Sequence, residues 1–463
     1  MARVEFVVIG GGPGGYVAAR RLGQLGREVV LVERDAIGGV CLNQGCIPTK
    51  CLYAATAPVG RAAEFGAMGV HLQPQLDAAG LREWVGQQVA TLRQGVERLL
   101  AAVGVEVVRG EARLAGPGRV EVTGDQGGRT LEADAVVLAT GSSPIQLPGF
   151  RFDGERIWSS WHALQLSHIP ERLVVVGGGV IGLEMGTLYR RLGSQVTVVE
   201  MTDQLLPGLG LSRRGQAVLR QSLRGQEVDV QLGTAAESWA DGGVKVRRED
   251  HEQVIRCDAV LVSVGRRPQA EGLGLESVGA ATERGFVVTD DALQAADGVY
   301  AVGDLRGGAL LAHKAAHEGL AVADRLGEKH ASAGQGVVAE PAIPWAVFTD
   351  PEVARVGLSE GEARARGYEV RVGRFPVGAL GRALAEGERL GHFEVVAAAD
   401  GRILGAELVA PHASDVIAEA ALAVQHGLTL EQLADTVHTH PTFPEGLWEA
   451  ALSALGRPLH GGR

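Results

Sequence analysis

Two glycine-rich segments, each lying between an apolar strand and a helix, constrain the fold more than any other feature of this sequence. In both, glycines spaced G-x-G-x-x-G are followed about twenty residues later by a glutamate that ends a second strand, Glu33 or Glu200. Such glycines let a pyrophosphate approach the helix N-terminus, and the carboxylate can bind a ribose diol. A glycine triplet alone also suits a tight turn, but strand, helix and acid together indicate dinucleotide binding. The glycines are Gly10, Gly12 and Gly15 in the first motif and Gly177, Gly179 and Gly182 in the second.

Apolar periodicity predicts the elements around these motifs. From about Pro341 the sequence becomes strand-rich and predicts a separate α+β domain without a nucleotide motif. The amphipathic helix expected at residues 81–103 could bind a partner, but packing within its own domain is the expected role. The predicted strands are residues 4–10, 28–32, 135–141, 173–177 and 257–267, and the predicted helices are residues 17–25, 81–103, 414–425 and 431–436.

Composition excludes several functional classes. A net charge of −11 and a pI near 5.7 argue against nucleic acid or an anionic membrane surface as the main partner. No apolar run is long enough to span a bilayer, and no secretory signal is visible. Four cysteines in a chain of 463 residues then indicate a reducing compartment, so we expect a cytoplasmic protein in which any disulfide is catalytic.

The acid that ends the second motif predicts the nicotinamide cofactor. Glu200 can accept hydrogen bonds from a ribose 2′-hydroxyl but would repel a 2′-phosphate. The residues that follow are Met201, Thr202 and Asp203, with no arginine among them. NAD is therefore favoured over NADP, with a solvated carboxylate at a strand end as the alternative reading of Glu200.

Cys41 and Cys46 lie in the segment GGVCLNQGCIPTK, directly after the first motif. Pro48 suits the first turn of a helix, so both thiols would lie near a helix N-terminus, where the dipole favours a thiolate. A structural disulfide or half of a metal site is the alternative, but neither explains why the pair follows a dinucleotide motif. The sequence therefore favours a redox-active pair.

Three further charged residues are candidates for a flavin site. Lys50, if it lies across a cleft from Glu184, would pair with that carboxylate and stay charged beside a flavin. We place Glu184 on the first turn of the helix after the second motif; each residue could instead be an unpaired surface charge. Asp304 follows the apolar strand VYAVGD, where a carboxylate can bind the polyol of a flavin nucleotide, and the helix predicted from LAHKAAHEG would point at the same ligand.

His440 and Glu445 form the last candidate pair. A histidine followed five residues later by a carboxylate, with prolines stiffening the turn, can orient an imidazole as a general base. A lone histidine is more often structural, but the cysteine pair requires a base for its thiols. Since this segment lies in the last domain, it could reach the cysteines of the other subunit in a dimer.

These motifs together resemble the flavin-dependent pyridine nucleotide-disulfide oxidoreductases and, within them, are most similar to the dihydrolipoamide dehydrogenases, the E3 components of 2-oxo acid dehydrogenase complexes. The similarity runs from end to end of the chain. It rests on CLNQGCIPTK, GGGVIGLEMG, LVSVGRRP, YAVGDL, LAHKAAHEG, FTDPEVARVGLSE and HTHPTFPE.

The resemblance implies an α/β fold with two Rossmann-like dinucleotide-binding domains, for FAD and NAD, and a C-terminal α+β dimerisation domain. It implies an FAD-binding domain with a redox disulfide at 1–145, an NAD-binding domain at 146–268, a central domain completing the FAD site at 269–338 and a dimerisation domain at 339–463. FAD would contact the first motif with Glu33, Lys50, Gly141, Asp304 and Ala312, and NAD would contact the second with Glu200 and Gly265. No metal is implied.

The resemblance also implies the roles of the reacting residues. Cys41 exchanges with dihydrolipoamide, Cys46 faces the flavin, Lys50 pairs with Glu184, and His440, oriented by Glu445, serves the partner subunit of a homodimer. The implied partners are a lipoyl domain and the peripheral subunit-binding domain of E2.

Three alternatives stay open at this stage. Glutathione reductase shares the architecture, but arginines would be expected after the second acid. Mercuric reductase shares the cysteines, but usually ends in a cysteine pair, whereas this chain ends in LHGGR. A non-catalytic flavoprotein that docks onto a complex or senses NADH is the third, and the intact cysteine and histidine motifs count against it.

Overall fold

The structure, a computed structural model, describes residues 2–124, 127–327 and 342–461. It divides into two compact units, the first formed by residues 1–51, 79–145 and 265–338 and the second by residues 52–78, 146–264 and 339–463. The predicted boundary after residue 338 and the change in composition at Pro341 lie outside the described residues. The division into four domains stays a prediction.

The elements of the first 145 residues alternate strand and helix before a run of antiparallel strands. They are β1 (Ala2–Ile9), α1 (Pro13–Gln24), β2 (Val29–Glu33), α2 (Gly39–Gln44), α3 (Cys46–Gly60), α4 (Ala62–Ala67), α5 (Ala78–Ala101), β3 (Glu106–Arg109), β4 (Glu111–Leu114), β5 (Arg119–Gly124), β6 (Gly127–Leu138) and β7 (Ser142–Pro144).

The next segment repeats the strand, helix, strand pattern. It contains β8 (Ile157–Trp158), α6 (Ser160–Leu164), β9 (Arg172–Val176), α7 (Val180–Arg191), β10 (Gln195–Val199), α8 (Arg213–Gly225), β11 (Val228–Gln231), β12 (Ala235–Ala240), β13 (Gly243–Arg248), β14 (His251–Arg256) and β15 (Ala259–Val262).

The remaining elements begin with short strands and end in helices. They are β16 (Arg266–Pro268), β17 (Thr282–Glu283), β18 (Phe286–Val287), β19 (Gln294–Ala296), β20 (Val299–Ala301), α9 (Ala312–Gly327), β21 (Trp345–Val347), β22 (Glu352–Gly357), α10 (Glu360–Ala365), β23 (Val370–Pro376), α11 (Gly381–Ala385), β24 (His392–Ala398), β25 (Ile403–Ala410), α12 (Ala413–His426), α13 (Leu430–Asp435) and α14 (Glu445–Ala454), with 3-10 turns at Leu275–Val278, Gly303–Arg306 and Val377–Ala379.

The first compact unit is built on an eight-stranded sheet in the order β19-β20-β6-β1-β2-β3, to which β4 and β5 attach through β6. Strands β20, β6, β1, β2 and β3 are parallel. This order places β1 among parallel neighbours, so its carboxyl end delivers the first glycine motif to the sheet edge where ligands bind. Helices α1 and α9 pack closely on one face, since a Cβ on Gly319 would lie 2.2 Å from the carbonyl oxygen of Gly14.

The second compact unit contains a five-stranded parallel sheet, a five-stranded antiparallel sheet and the smaller antiparallel sheet β12-β13-β14. The parallel sheet has the order β11-β10-β9-β15-β8, and β9 delivers the second glycine motif in the same way. The five-stranded antiparallel sheet, β21-β22-β25-β24-β23, is covered by α12 and α14 around a core that includes Phe375, Phe393 and Leu408. The expected fold class, with two Rossmann-like segments and a C-terminal α+β domain, is confirmed.

Helix α8 is fixed at both ends by the C-terminal segment. Its N-cap, Ser212, donates hydrogen bonds from its backbone nitrogen and its hydroxyl to Glu407 of β25, both of 2.6 Å. At the other end, the carbonyl oxygen of Asp350 accepts a hydrogen bond from the Ser222 hydroxyl and another, of 2.6 Å, from Gln226 Nε2. Because Glu407 is buried, the bonds at the N-cap are shielded from water.

Two sequence predictions are wrong in part. The single strand expected at residues 257–267 is β15 followed by the separate β16, because Gly265 has φ +123° and breaks the strand. The helices expected at residues 414–425 and 431–436 are present as α12 and α13, but a further helix, α14, was not predicted. Its buried residues Leu447 and Ala450 pack into the C-terminal core, directly after the segment that the prolines were expected to stiffen.

The long helix α5 forms close to the predicted residues 81–103, but fewer of its apolar side chains are buried than we expected. Val85 and Leu100 are buried on it, whereas Trp84, Leu92 and Leu99 are exposed in the single chain. The expectation that the whole apolar stripe packs within its own domain is therefore only partly correct.

Glu388 gives a testable pH dependence. Burial raises its pKa to about 7, against the opposing effect of Arg61, whose Nη2 lies 3.2 Å from Glu388 Oε1. Between the ordinary pKa of 4.5 and 7, the folded protein binds a proton that the unfolded chain releases, so this group favours folding less as pH rises. Relative to the native protein, we expect Glu388→Gln to raise the free energy of unfolding by roughly 1–2 kcal/mol more at pH 8 than at pH 5.5, after allowance for solvent screening, and so to raise Tm more at pH 8. Equal Tm differences at both pH values would contradict this linkage.

Candidate active site

The first glycine motif leaves room for a ligand only at its middle glycine. A Cβ on Gly10, where φ is +102°, would lie 2.4 Å from the carbonyl oxygen of Ala139, and one on Gly15 would lie 1.8 Å from that of Gly10. On Gly12 the nearest atom would be the Cα of Gly39, 3.9 Å away. The outer glycines thus allow the chain to fold, and the middle one keeps the α1 N-terminus open to a phosphate.

Glu33 is held at the end of β2 by two backbone amides. Its Oε2 accepts a hydrogen bond of 2.6 Å from Gly11, and its Oε1 accepts one of 2.7 Å from Asp35. These bonds fix a buried carboxylate beside the glycine loop while each oxygen keeps a lone pair. The carboxylate predicted to bind the ribose is therefore fixed beside the glycine loop, and its contact with a ribose stays a prediction.

The second motif repeats this geometry. A Cβ on Gly177 would lie 2.6 Å from the Ser263 carbonyl oxygen, one on Gly182 would lie 1.9 Å from that of Gly177, and one on Gly179 would meet nothing within 4 Å. Glu200 accepts hydrogen bonds from the amides of Gly178, at 2.7 Å, and of Thr202, at 2.8 Å. Glu33 and Glu200 are each held by two backbone amides in the same way, which supports two dinucleotide sites with the same geometry.

The two glycines of the second motif predict separable effects. Gly179→Ala meets no protein atom, so we expect normal folding and thermal stability but an increase of at least about tenfold in KM for NAD⁺, because the methyl group occupies the pyrophosphate position. Gly182→Ala collides with the backbone, so we expect a clear fall in Tm. Melting curves and NAD⁺ titrations of both variants test this, and equal Tm losses would contradict it.

Asp304 lies in a 3-10 turn just after β20, within reach of two residues that sequence reasoning missed. Its Oδ2 accepts a hydrogen bond of 2.5 Å from the Ser142 hydroxyl, and Arg266 Nε lies 3.9 Å from the same oxygen. Arg266 also donates to Ser142 Oγ, at 2.7 Å. Burial lowers the pKa of Arg266, and Asp304 and Cys46 act against that shift. The only sequence signal for Arg266 was its place in LVSVGRR.

Three of the predicted cofactor contacts are backbone positions. Gly141 has φ +71°, and a Cβ there would meet nothing within 4 Å, so this turn is open. Ala312 is the first residue of α9, as the predicted helix start requires. Gly265 lies in the left-handed region between β15 and β16, where a Cβ would meet only Ile145, at 3.4 Å. Their contacts with FAD and NAD stay predictions.

Cys41 and Cys46 lie on consecutive helices of the first compact unit. Cys41 is the third residue of α2, and Cys46 is the first residue of α3, with Gly45 between the helices. No disulfide joins the two cysteines in the structure. The hydrogen bond to Cys46, burial and the charge of Cys46 raise the pKa of Cys41 far above its ordinary value, although Lys50 lowers it. At Cys41 these effects oppose the helix dipole, which we expected to favour a thiolate at both sulfurs.

Lys50 and Glu184 are each placed on a helix that carries a predicted site. Lys50 lies one turn after Cys46 on the same face of α3. Glu184 is buried and lies on the second turn of α7, not the first, because the helix begins at Val180. Its Oε1 accepts a hydrogen bond of 3.0 Å from the amide of Phe348, and its carbonyl accepts one of 2.8 Å from the Tyr53 hydroxyl. The pairing of Lys50 with Glu184 stays a prediction.

His440 and Glu445 form a hydrogen-bonded pair in the C-terminal segment. The distance between His440 Nδ1 and Glu445 Oε1 is 2.9 Å, and Glu445 Oε2 accepts a bond of 2.7 Å from the Thr442 amide. Burial raises the pKa of Glu445, but the bonds from His440 and Thr442 outweigh it and hold the pKa below its usual value. The His440 side chain is 77% exposed, so an imidazole oriented through Nδ1 presents Nε2 to solvent.

The described parts of the chain show neither a metal centre nor a membrane span. Within residues 2–124, 127–327 and 342–461, no group of three His, Cys, Asp or Glu side chains could hold a metal ion. No helix among those residues is long and apolar enough to cross a bilayer.

Two dinucleotide motifs, a cysteine pair beside one of them and a histidine–carboxylate pair in an α+β domain define a nucleotide-dependent disulfide oxidoreductase. The comparison with known families agrees. The chain belongs to the pyridine nucleotide-disulphide oxidoreductase family, whose model matches residues 4–319, and the family's dimerisation domain matches residues 343–451. The latter match supports a homodimer.

Relatives and solved structures extend this similarity over nearly the whole chain. "Dihydrolipoyl dehydrogenase 2" of Haloarcula marismortui is 45% identical over 468 residues, covering 98% of both chains. Dihydrolipoyl dehydrogenase of Thermus scotoductus is 43% identical and covers 99% of both chains. The crystal structure of LpdA from Mycobacterium tuberculosis has a TM-score of 0.88 and 30% identity, covering 97% of this chain and 99% of that one.

The cofactors expected from the sequence, FAD and NAD, are those of this family. The residues present fit them. The open positions at Gly12, Gly141 and Gly179 leave space where a nucleotide must approach the backbone. Each motif also ends in a fixed carboxylate.

Proposed function

We propose that this chain is a dihydrolipoyl dehydrogenase, which oxidises dihydrolipoamide to lipoamide and reduces NAD⁺ to NADH. The observation that carries the proposal is the bond between His440 and Glu445, at 2.9 Å, on a side chain that reaches solvent. A base oriented in this way suits a substrate that arrives as a dithiol and must lose a proton before it reacts. The identity of 45% with a relative of that name supports the same substrate.

The cysteines supply the exchange chemistry. In the oxidised protein, His440 Nε2 takes a proton from one substrate thiol, and the thiolate attacks Cys41 Sγ, so the Cys41–Cys46 bond breaks and Cys46 leaves as a thiolate. The second substrate thiol, after losing its proton, displaces Cys41 and releases the cyclic disulfide. Cys41 leaves as a thiolate and takes up a proton released by the substrate, in keeping with its raised pKa, so two electrons then rest on the reduced cysteine pair.

The remaining residues orient the cofactors. When bound, FAD would supply the electron transfer between the cysteine pair and NAD⁺. Glu33 and Asp304 would hold its ribose and polyol, with Gly141 and Ala312 at the backbone, and Lys50 would pair with Glu184 beside it. Glu200 and Gly265 would hold NAD. Glu200 is followed by Met201, whose side chain is 72% exposed, at a position where binding the 2′-phosphate of NADP would require an arginine.

The partners follow from this role. We propose that His440 of one protomer serves the cysteine pair of the other in a homodimer. The substrate would be carried on a lipoyl domain, with attachment through the peripheral subunit-binding domain of E2 in a 2-oxo acid dehydrogenase complex. The location would be the cytoplasm, where four cysteines stay reduced outside the catalytic cycle.

The test compares three reactions of the purified flavoprotein. NAD⁺ reduction by dihydrolipoamide is measured beside NADPH oxidation with glutathione disulfide and with mercuric ion. Fast turnover in the first assay alone supports the proposal. Turnover only with NADPH would overturn it and would show that Glu200 had been misread, while the family assignment would stand.

A further inference from the structure

A buried ionic cluster lies on α9 and the turn that carries Asp304. We call Glu318, Lys314 and Arg306 the α9 cluster. Glu318 is fully buried and the Lys314 side chain is 2% exposed, with 3.1 Å between Lys314 Nζ and Glu318 Oε1. Arg306 Nη1 donates to the same oxygen at 2.7 Å. The mechanism proposed above uses none of these residues.

The α9 cluster holds the chain on both sides of Asp304. On one side, the amide of Gly303 donates a hydrogen bond of 2.6 Å to Glu318 Oε2. On the other, Lys314 Nζ donates one of 2.7 Å to the carbonyl oxygen of Gly307. Both glycines have positive φ, +74° and +81°, so the turn between them has little stiffness of its own. Its position therefore depends on these external bonds.

Charges buried this deeply oppose folding unless every one is paired. Replacing a buried ion pair by apolar residues of similar volume is often neutral or stabilising, so the buried pair of Lys314 and Glu318 is better explained by what it fixes than by the stability of α9. We propose that Glu318, Lys314 and Arg306 are positioning residues for FAD, which hold the Asp304 carboxylate where it meets the flavin polyol. This inference rests on the FAD-binding role proposed for Asp304.

The test is a double-mutant cycle on FAD release. The rate at which the purified holoprotein loses FAD is recorded as the rise of free-flavin fluorescence for the native protein, Asp304→Asn, Glu318→Gln and the double variant. We expect each single change to speed release about tenfold, the effect of one charged hydrogen bond. If Glu318 acts through Asp304, the double variant should release FAD less than about twofold faster than Asp304→Asn alone.

A matched control separates positioning from general support of the helix. Asp324 also lies on α9 and pairs with Arg21 of α1, away from the Asp304 turn. Asp324→Asn should lower Tm but change FAD release less than about twofold. Lys314→Met repeats the cycle in case Glu318→Gln does not fold, since Met fills a similar volume without the bond to Gly307.

The outcomes are distinct. The inference would be overturned if the effects of Asp304→Asn and Glu318→Gln on the FAD release rate multiply in the double variant. It would also be overturned if Asp324→Asn releases FAD as fast as Glu318→Gln does. Either result would show that the cluster only supports α9. Native release rates in Glu318→Gln and Lys314→Met would also overturn the inference. If Asp304→Asn itself leaves FAD release unchanged, the proposed role of Asp304 fails, and this inference falls with it.

Discussion

Replacing Cys46 with serine should lower NAD⁺ reduction by dihydrolipoamide at least about 10⁴-fold. The reason is covalent, because the proposed cycle opens and re-forms a bond between the Cys41 and Cys46 sulfurs, and a hydroxyl cannot take part in thiol–disulfide exchange. Flavin absorbance of the purified variant and steady-state NADH formation measure retention of the cofactor and the loss of turnover separately.

The control for this result is Cys51→Ser. Cys51 lies on α3 as well, five residues beyond Cys46, and the cycle assigns it no role. We expect this variant to keep at least about half of the native activity, within the range of a conservative change at a partly exposed position. If Cys46→Ser still oxidised dihydrolipoamide at a substantial rate, the proposed exchange through Cys41 and Cys46 would be wrong, and only the nucleotide-binding part of the proposal would stand.

Replacing His440 with alanine should lower the same turnover by about 10²–10⁴-fold, the usual contribution of a general base. Glu445→Gln should cost less, because the amide can still accept a hydrogen bond from Nδ1 while the negative charge is lost. Reduction of the bound flavin by NADH should proceed at the native rate in both variants, since neither residue belongs to the nucleotide sites. Stopped-flow absorbance follows that half-reaction alone.

His438 provides the matched comparison. It also bonds a carboxylate through one ring nitrogen, with 3.0 Å between Nε2 and Glu419, and that bond raises its pKa above the ordinary value. Its other nitrogen bonds the Thr436 carbonyl, so neither is left for a substrate. His438→Gln should therefore keep most of the activity, and equal losses in the two histidine variants would mean that the segment is needed for structure instead of proton transfer.

The nucleotide sites could be predicted from sequence because their determinants are local. The strand, glycines, helix and acid of each motif lie within about thirty residues, so their spacing alone identifies them. The pair formed by His440 and Glu445 is likewise separated by five positions, and the structure shows the expected bond.

What the sequence did not show depends on contacts between distant segments. Arg266 and Ser142, which bond across 124 positions beside Asp304, share no local pattern. The α9 cluster appears in sequence only as charges at helical spacing, which a solvent-exposed helix would share. The raised pKa of Cys41 reflects its hydrogen bond to Cys46 and its burial, and both are known only from the structure.

The two-ended attachment of α8 limits how this chain can be recombined. A chimaera that exchanged residues 146–264 for those of an NADP-dependent relative would separate Ser212 from Glu407 and Gln226 from the Asp350 carbonyl. Glu407 would then stay buried with His392 as its remaining partner, at 3.0 Å. A graft intended to change the cofactor preference must therefore also include β25 and the turn at Asp350. Otherwise the changes should be limited to the residues around Glu200.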